Sequence, residues 1–455
     1  MNVLEQCENA KEAFLKLSNV DKEVKKFALF ELASDIEGNA AKIIAANKKD
    51  ISKSKGKIPS SLLKRLTVDK EKVKDMATMV RSVANLDDPV GKVLEKTELS
   101  KGLILKKITV PIGVICCIFE SRPEVVVQIS ALAIKSGNAV LLKGGKEASN
   151  TNKVLADIIR KSIKDNKGIS ADAVQLIETR EQINEVLKMD EFIDMIIPRG
   201  SNSLVKYIQQ NTRIAVLGHA DGICHVYVDK NANLKKAVSI AFDAKCQYAA
   251  VCNAMETLLV NKSIANKFLP LIVQKYIENS VEVRLDNKSL SIIKKSILLN
   301  PKDSKGLENS KNFQNKNKSI LKKIRKATEK DWRTEYNDLI VSVKVVNNLD
   351  EAIKHINNYG SGHTDSIITD NKKSADKFLA FVDSSSVMLN CSTRFSDGYR
   401  YGFGAEVGIS TNKVHARGPV GIDGLSTYKY VVIGNGHIVD EFEKGGKRFT
   451  HKKIK

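Results

Sequence analysis

The sequence is poor in the features that announce most common functions. Seven cysteines are spread over 455 residues with no C-x-x-C pair, and the adjacent Cys116 and Cys117 cannot together clasp a metal. A disulfide framework, structural zinc and an iron–sulfur cluster are therefore disfavoured, and no metal is expected. Aromatic residues make up only 5% of the chain. With no RNP-like, zinc-finger or helix-turn-helix signature, no nucleic-acid partner is expected. No run approaches the roughly 18 apolar residues that cross a bilayer, so no membrane partner is expected either. The opening Met1-Asn2-Val3-Leu4-Glu5-Gln6-Cys7-Glu8 has no basic region leading an apolar stretch, which points to a cytoplasmic protein. Also missing are a strand-borne G-x-G-x-x-G, a P-loop and a G-x-S-x-G elbow. The nearest glycine clusters, Gly402-Phe403-Gly404 and Gly434-Asn435-Gly436, lack the third glycine. A common dinucleotide-fingerprint dehydrogenase, a kinase and a serine hydrolase are disfavoured accordingly.

What is present is a long chain, 42% hydrophobic, with a formal net charge of +21. Its length predicts two or three domains. The lysines spread over helices and pool in Asn287–Lys330, which lacks a strong apolar period and reads as a loosely organised surface excursion. A solvated basic surface accounts for the charge and would also steer anionic ligands. Residues 1–95 show helical spacing. Strand and helix patterns then alternate: strands over 112–119, 139–142, 173–177 and 192–197, with helices over 124–136, 149–164 and 203–210. A second alternation has strands over 225–228, 257–260, 340–346, 365–369 and 386–390, with helices over 234–246, 263–278 and 350–357. The rhythm predicts an α/β protein with doubly wound parallel sheets. Residues 98–110 read as a ribbon strand around Gly102, 427–439 as a hairpin about Gly434–Gly436, and the end of the chain as a basic tail.

Among these elements Cys252 is the most informative residue. In Val251-Cys252-Asn253-Ala254-Met255-Glu256-Thr257-Leu258-Leu259-Val260, a thiol precedes a small polar turn and then a run that can only be buried. This places the sulfur on the rim of a rigid element with a backbone N–H nearby, which suits attack on an acyl carbon. A small core cysteine is the plainer reading of a lone thiol. Two strand-to-helix junctions are candidates for anion or nucleotide binding. Leu142-Lys143-Gly144-Gly145-Lys146 combines flanking cations with glycines that admit close approach. Pro198-Arg199-Gly200-Ser201-Asn202-Ser203 opens a helix whose first N–H groups form an anion site, although Ser201 or Ser203 also serves as an ordinary N-cap.

Several motifs in order carry a family resemblance. Asp221-Gly222-Ile223-Cys224-His225 lies upstream of Cys252-Asn253-Ala254-Met255-Glu256-Thr257. Phe119-Glu120-Ser121-Arg122-Pro123, Lys135-Ser136-Gly137-Asn138 and Ile197-Pro198-Arg199-Gly200 precede them. Tyr359-Gly360-Ser361-Gly362-His363-Thr364, Ser392-Thr393-Arg394-Phe395, Gly404-Ala405-Glu406-Val407-Gly408 and His415-Ala416-Arg417-Gly418-Pro419 follow. Together they resemble the gamma-glutamyl phosphate reductases of the aldehyde dehydrogenase superfamily, from about residue 5 to about 440. The resemblance implies an aldehyde-dehydrogenase-like fold of two doubly wound α/β domains plus a small β-ribbon oligomerisation element. It divides the chain into a nucleotide-binding domain (1–97 and 111–222), a catalytic domain (223–424), a ribbon (98–110 and 425–440) and a basic tail (441–455). It also implies NADPH-dependent reduction of L-glutamyl 5-phosphate in proline biosynthesis through a Cys252 thioester, in a homo-oligomer. Glutamate 5-kinase, the maker of the labile acyl phosphate, is the implied partner. NADP would lie at Lys143, Gly145, Lys146, Gly200 and Ser201, with Glu406 near the nicotinamide ribose. Asn253 would sit at the catalytic turn. Ser121 and the Cys252 N–H would face the oxyanion.

The substrate's carboxylate and phosphate call for cations. Arg122 and Arg394 follow serine-rich segments and suit bidentate anion pairs, with a surface ion pair as the alternative for each. His363 would donate to the leaving phosphate or serve as a structural histidine. Hydrolytic members of the superfamily carry a glutamate base in a Glu-Leu-Gly-Gly segment. Here the matching segment is His219-Ala220-Asp221-Gly222, aligned through Gly222, and a two-residue shift would bring Asp221 to the acid's place. The missing acid favours an acyl-phosphate reductase over a hydrolytic dehydrogenase. Ala249 stands where a proline is common in the family.

Overall fold

The computed structural model describes residues 2–164, 168–179, 182–219, 221–299 and 323–454. The chain forms two compact units. The first comprises Met1–Gly218, Gly402–Gly408 and Pro419–Lys455, and the second comprises His219–Tyr401 and Ile409–Gly418.

The first unit grows around Val114–Phe119, six residues with every side chain buried. A strand covered on both faces has no need for alternating polarity, and this one has none. It pairs in parallel with Ala139–Lys143 on one side and Met195–Arg199 on the other. Val174–Leu176 and Ala215–Val216 complete a five-stranded parallel sheet. From edge to edge the strands run third, second, first, fourth, fifth in chain order, so the winding reverses between Val114–Phe119 and Met195–Arg199. Such a reversal opens a crevice at the carboxyl ends of the two strands. Helix Glu124–Lys135 is buried along almost its whole surface. Asn138, just beyond it, ties the sheet's start in place by accepting from Gly113 N–H at 2.8 Å and donating to Leu425 O at 2.9 Å.

Helices fill 3–84 as the spacing predicts. A ribbon strand begins earlier than predicted, at Val93, and turns at Lys101-Gly102 into Leu103–Pro111. Ser426–Ile433 pairs with the latter along its length. The predicted hairpin about Gly434–Gly436 is absent: the chain turns there but forms a short helix, Asp440–Glu443, and the returning strand is the distant Lys452–Lys453, paired with Val93–Ser100. The glycines supply a bend, but His437 is held on it by the Asn435 N–H at 3.1 Å and Lys101 O at 3.1 Å, and Val439 already has helical dihedrals as the N-cap of Asp440–Glu443, so Ile438-Val439 does not extend as a second arm.

The second unit holds a seven-stranded parallel sheet in the order 324–326, 282–285, 340–346, 255–261, 224–228, 364–368, 386–389. Its centre, Cys224–Val228 and Met255–Asn261, is wholly buried. The stretch read as a loose excursion is organised wherever it is described. Asn287–Leu299 is a helix, Ile293 enters the core with Leu290 and Ile292 packed against it, and Ile324–Lys326 extends the sheet. Residues 300–322 of that stretch lie outside the described residues. Two parallel-sheet units and an antiparallel ribbon make the predicted α/β architecture. No described helix is long and apolar enough to cross a membrane.

Candidate active site

Helix Leu234–Cys246 starts on Asn233, whose side chain accepts from the Lys236 N–H at 3.1 Å, and it delivers the chain to the amino edge of the sheet. Cys252 sits there on a turn closed by Ala254 N–H to Val251 O at 3.0 Å, immediately before strand Met255–Asn261. The thiol is half-buried, not a core residue. Asn253 anchors the turn by donating to Ser396 O at 2.7 Å. From beneath, the buried Cys224 thiol donates to the Cys252 carbonyl at 3.2 Å. Burial pushes the Cys224 thiol well above the ordinary range, so it remains a neutral donor.

Gly222 explains the register of this corner. A β-carbon there would lie 2.3 Å from Cys252 O and 2.6 Å from its Cα, closer than any real contact. Gly222→Ala must push the Cys252 turn aside. A displacement of about 1 Å at a reacting atom costs about 10²-fold in rate, so the variant should lose activity by about that factor while far-UV circular dichroism stays unchanged.

Two histidines face the thiol. A ring nitrogen of His219, the Cys252 sulfur and a ring nitrogen of His363 lie within 4.8 Å of one another. The two rings meet edge to face at 4.8 Å. His219 Nδ1 is 2.8 Å from Ile409 O, and a carbonyl can only accept, so Nδ1 carries a proton. His363 is fully buried, with Nδ1 2.8 Å from Thr364 Oγ1. Arg394, mostly buried, donates through Nε to Gln247 at 2.9 Å. Burial and the neighbouring Arg400 guanidinium lower its pKa, and among the described residues it makes no ion pair. A cation so placed suits a ligand anion. Glu335 shares the neighbourhood: burial raises its carboxyl pKa, and it is hydrogen-bonded to Gly222 backbone and Asn337.

The first unit carries the other predicted residues, and its sheet reversal gathers most of them. Ser201 N–H, at the start of helix Asn202–Asn211, donates to Glu120 Oε2 at 2.7 Å, and Ser121 donates to Glu147 through N–H at 2.7 Å and Oγ at 2.8 Å. Ser201 occupies the N-cap position, but its hydroxyl meets Ser203 at 3.2 Å and makes no cap bond. A β-carbon at Gly200 would come within 2.6 Å of Glu120 Oε2. Lys143 is buried at its strand's end, where Nζ donates to Gly144 O. Gly145 is half-buried, Lys146 exposed and Arg122 half-buried. Glu406 is held through its backbone O, which accepts from Gln128 at 2.9 Å. The Ser201 N–H at the helix start, where an anion would be received, is occupied by the Glu120 carboxylate, so an anionic ligand must displace that carboxylate to use it.

The aldehyde dehydrogenase family profile matches residues 1–292. Gamma-glutamyl phosphate reductase of Methanococcoides burtonii is 51% identical over 451 residues, 98% of this chain and 95% of that one. Its counterpart from Acetivibrio thermocellus is 50% identical over 455 residues, 100% of this chain and 99% of that one. The crystal structure of gamma-glutamyl phosphate reductase from Thermotoga maritima matches with a TM-score of 0.87 at 38% identity, covering 96% of this chain and 100% of that one. The chain belongs to the gamma-glutamyl phosphate reductases of the aldehyde dehydrogenase superfamily. Family membership brings an oxidoreductase role and a nicotinamide cofactor. In this family frame, His219, Gln247 and Glu335 are the residues that sequence reasoning missed. His219 stood only at the head of the Gly222 alignment segment; the other two had no local signal.

Proposed function

We propose that the chain reduces L-glutamyl 5-phosphate to L-glutamate 5-semialdehyde with release of phosphate, in proline biosynthesis. The observation that carries this reading is the packing of Gly222 on Cys252, which supports taking Gly222 as the anchor of the segment His219-Ala220-Asp221-Gly222. That segment is headed by His219, not by an acid. Names and full-length identities of the relatives support the same substrate.

In this reading Cys252, as thiolate, attacks the γ-acyl carbon, phosphate departs and an acyl thioester remains on the sulfur. The Cys252 N–H faces the oxyanion, and losing such a donor typically costs about 10²-fold. Ser121 joins it only by giving up Glu147. Arg394, Arg122 and His363 receive the substrate's anionic ends. Lys143, Gly145, Lys146, Gly200, Ser201 and Glu406 would hold NADPH, which would supply hydride for reduction of the thioester. The exposed Tyr428, Tyr430 and Val432 on the ribbon's edge strand Ser426–Ile433 favour a homo-oligomer formed by strand pairing.

The test is reduction of NADP by glutamate 5-semialdehyde, which should require phosphate. Acid formation without phosphate would replace this reading with a hydrolytic dehydrogenase, for which Glu335 is the available base. Arg394→Ala should raise the substrate KM by about 10–100-fold, the worth of a charge-assisted hydrogen bond of about 1.5–3 kcal/mol. Arg394→Lys should not recover it, because a point charge lacks the guanidinium fork. An unchanged KM in Arg394→Ala removes this residue from the binding set.

A further inference from the structure

The corner around Cys252 has a property that acyl transfer does not require. Two imidazoles and a thiol converge, one donor atom from each within 4.8 Å of the others. Among the described residues no other group of three such ligands is found. His363 is fully buried, and its Nε2 has no hydrogen-bond partner there. An orphaned nitrogen of this kind is costly unless something it can bind arrives. His219 is oriented by Ile409 O at 2.8 Å and His363 by Thr364 Oγ1 at 2.8 Å, the outer-sphere hydrogen bonds that fix ring orientation in metal sites. Tetrahedral zinc, with bonds of about 2.0–2.3 Å, sets its donors roughly 3.3–3.6 Å apart. Closing from 4.8 Å asks for side-chain adjustments of about an ångström at most.

We propose that His219, Cys252 and His363 form a binding site for a thiophilic divalent cation of the zinc class, with a solvent molecule in the fourth position. The cation takes the Cys252 sulfur as thiolate and displaces one proton to solvent, with no change of oxidation state. The sulfur lone pair that would attack the acyl carbon is then held by the metal. Occupancy blocks acylation reversibly and shields the thiol from electrophiles, and a chelator restores it. The assignment of Cys252 as nucleophile underlies the inhibitory consequence, but metal binding itself can be read without any turnover.

Cobalt(II) and zinc(II), added singly to the tag-free full-length protein, are the probes. Cobalt should bind at one equivalent per chain with a thiolate-to-metal charge-transfer band and strong visible bands of four-coordination, and zinc should displace it. Cys252→Ser should lose the charge-transfer band. His219→Ala and His363→Gln should each weaken zinc binding by more than the roughly 10–100-fold typical of outer-sphere changes. Stoichiometric zinc should slow iodoacetamide alkylation of Cys252 at least about 10-fold, and a chelator should return the original rate. A charge-transfer band that survives Cys252→Ser would assign binding to another cysteine and overturn the proposal. Zinc affinity unchanged in both histidine variants would overturn it equally. Full metal binding by a protein inactive on the semialdehyde would leave this site standing and remove the reductase reading instead.

Discussion

Cys252→Ser is expected to lower phosphate-dependent NADP reduction by glutamate 5-semialdehyde on the order of 10⁴–10⁶-fold, the range seen when a covalent nucleophile is removed from its supporting machinery. Serine keeps the size and the hydrogen-bonding capacity, so the expected loss is chemical. Its hydroxyl is far more weakly acidic than a thiol, and an oxygen ester accepts hydride less readily than a thioester. The turn itself should persist, because its anchors are not on the sulfur. Ala254 N–H bonds to Val251 O, Asn253 to Ser396 O, and the Cys224 thiol to the Cys252 carbonyl. Nucleotide binding, followed by quenching of NADPH fluorescence, should therefore be retained. Mass spectrometry of the wild type incubated with acyl phosphate in the absence of NADPH should show an adduct on Cys252, absent from the variant. Turnover within tenfold of wild type in Cys252→Ser would end the nucleophile assignment.

The sequence revealed the parts of this molecule in which burial is local. Val114–Phe119 is a continuous apolar strand because both faces are covered, and it was legible for that reason; Met255–Asn261 is equally buried but is apolar only at Met255 and over Leu258-Leu259-Val260. Helix Leu234–Cys246 falls at its predicted limits. Elements with mixed composition were not legible. Glu282–Leu285 is four residues with alternating burial, and helix Lys372–Phe381 buries only Ala375 and Phe378. Asn287–Leu299 looked like solvent-facing chain because lysines and asparagines dilute the few apolar positions that pack. The same division holds for the candidate site. Cys252 announces itself because a short polar turn immediately precedes a buried strand. His219 reaches Ile409 across 190 residues and Arg394 reaches Gln247 across 147. No periodicity carries such pairings; they exist only once the chain has folded back over those separations.

Replacing Lys245 by methionine should produce the largest loss of stability in the second unit, about 3–5 kcal/mol. Lys245 lies in the last turn of the helix that leads to the Cys252 turn, and its Nζ is 2.6 Å from Glu256 Oε2 with both side chains wholly inaccessible. The pair's net worth is small, because desolvation opposes the attraction, but breaking it strands a carboxylate. Burial lifts the Glu256 pKa to about 7 even with the ammonium beside it, since only Lys245 and the Asn337 N–H at 3.4 Å pull it down. Its folded pKa therefore exceeds the unfolded value of 4.5, so this group's contribution is complete below pH 4.5 and fades as pH rises through about 7. Removing Lys245 raises the folded pKa further and extends the window upward, so the variant's deficit should widen above pH 7. Trp332, the only tryptophan in the chain, is buried in this unit and reports its unfolding. Urea midpoints followed by its fluorescence at pH 6 and pH 8.5 should separate the two proteins more at the higher pH. Lys245→Met combined with Glu256→Leu should recover most of the loss, because a neutral pair of similar volume leaves no charge to desolvate. A double variant no more stable than the single one would show that the helix needs the lysine for packing and not for charge, and the pH dependence would then vanish with it.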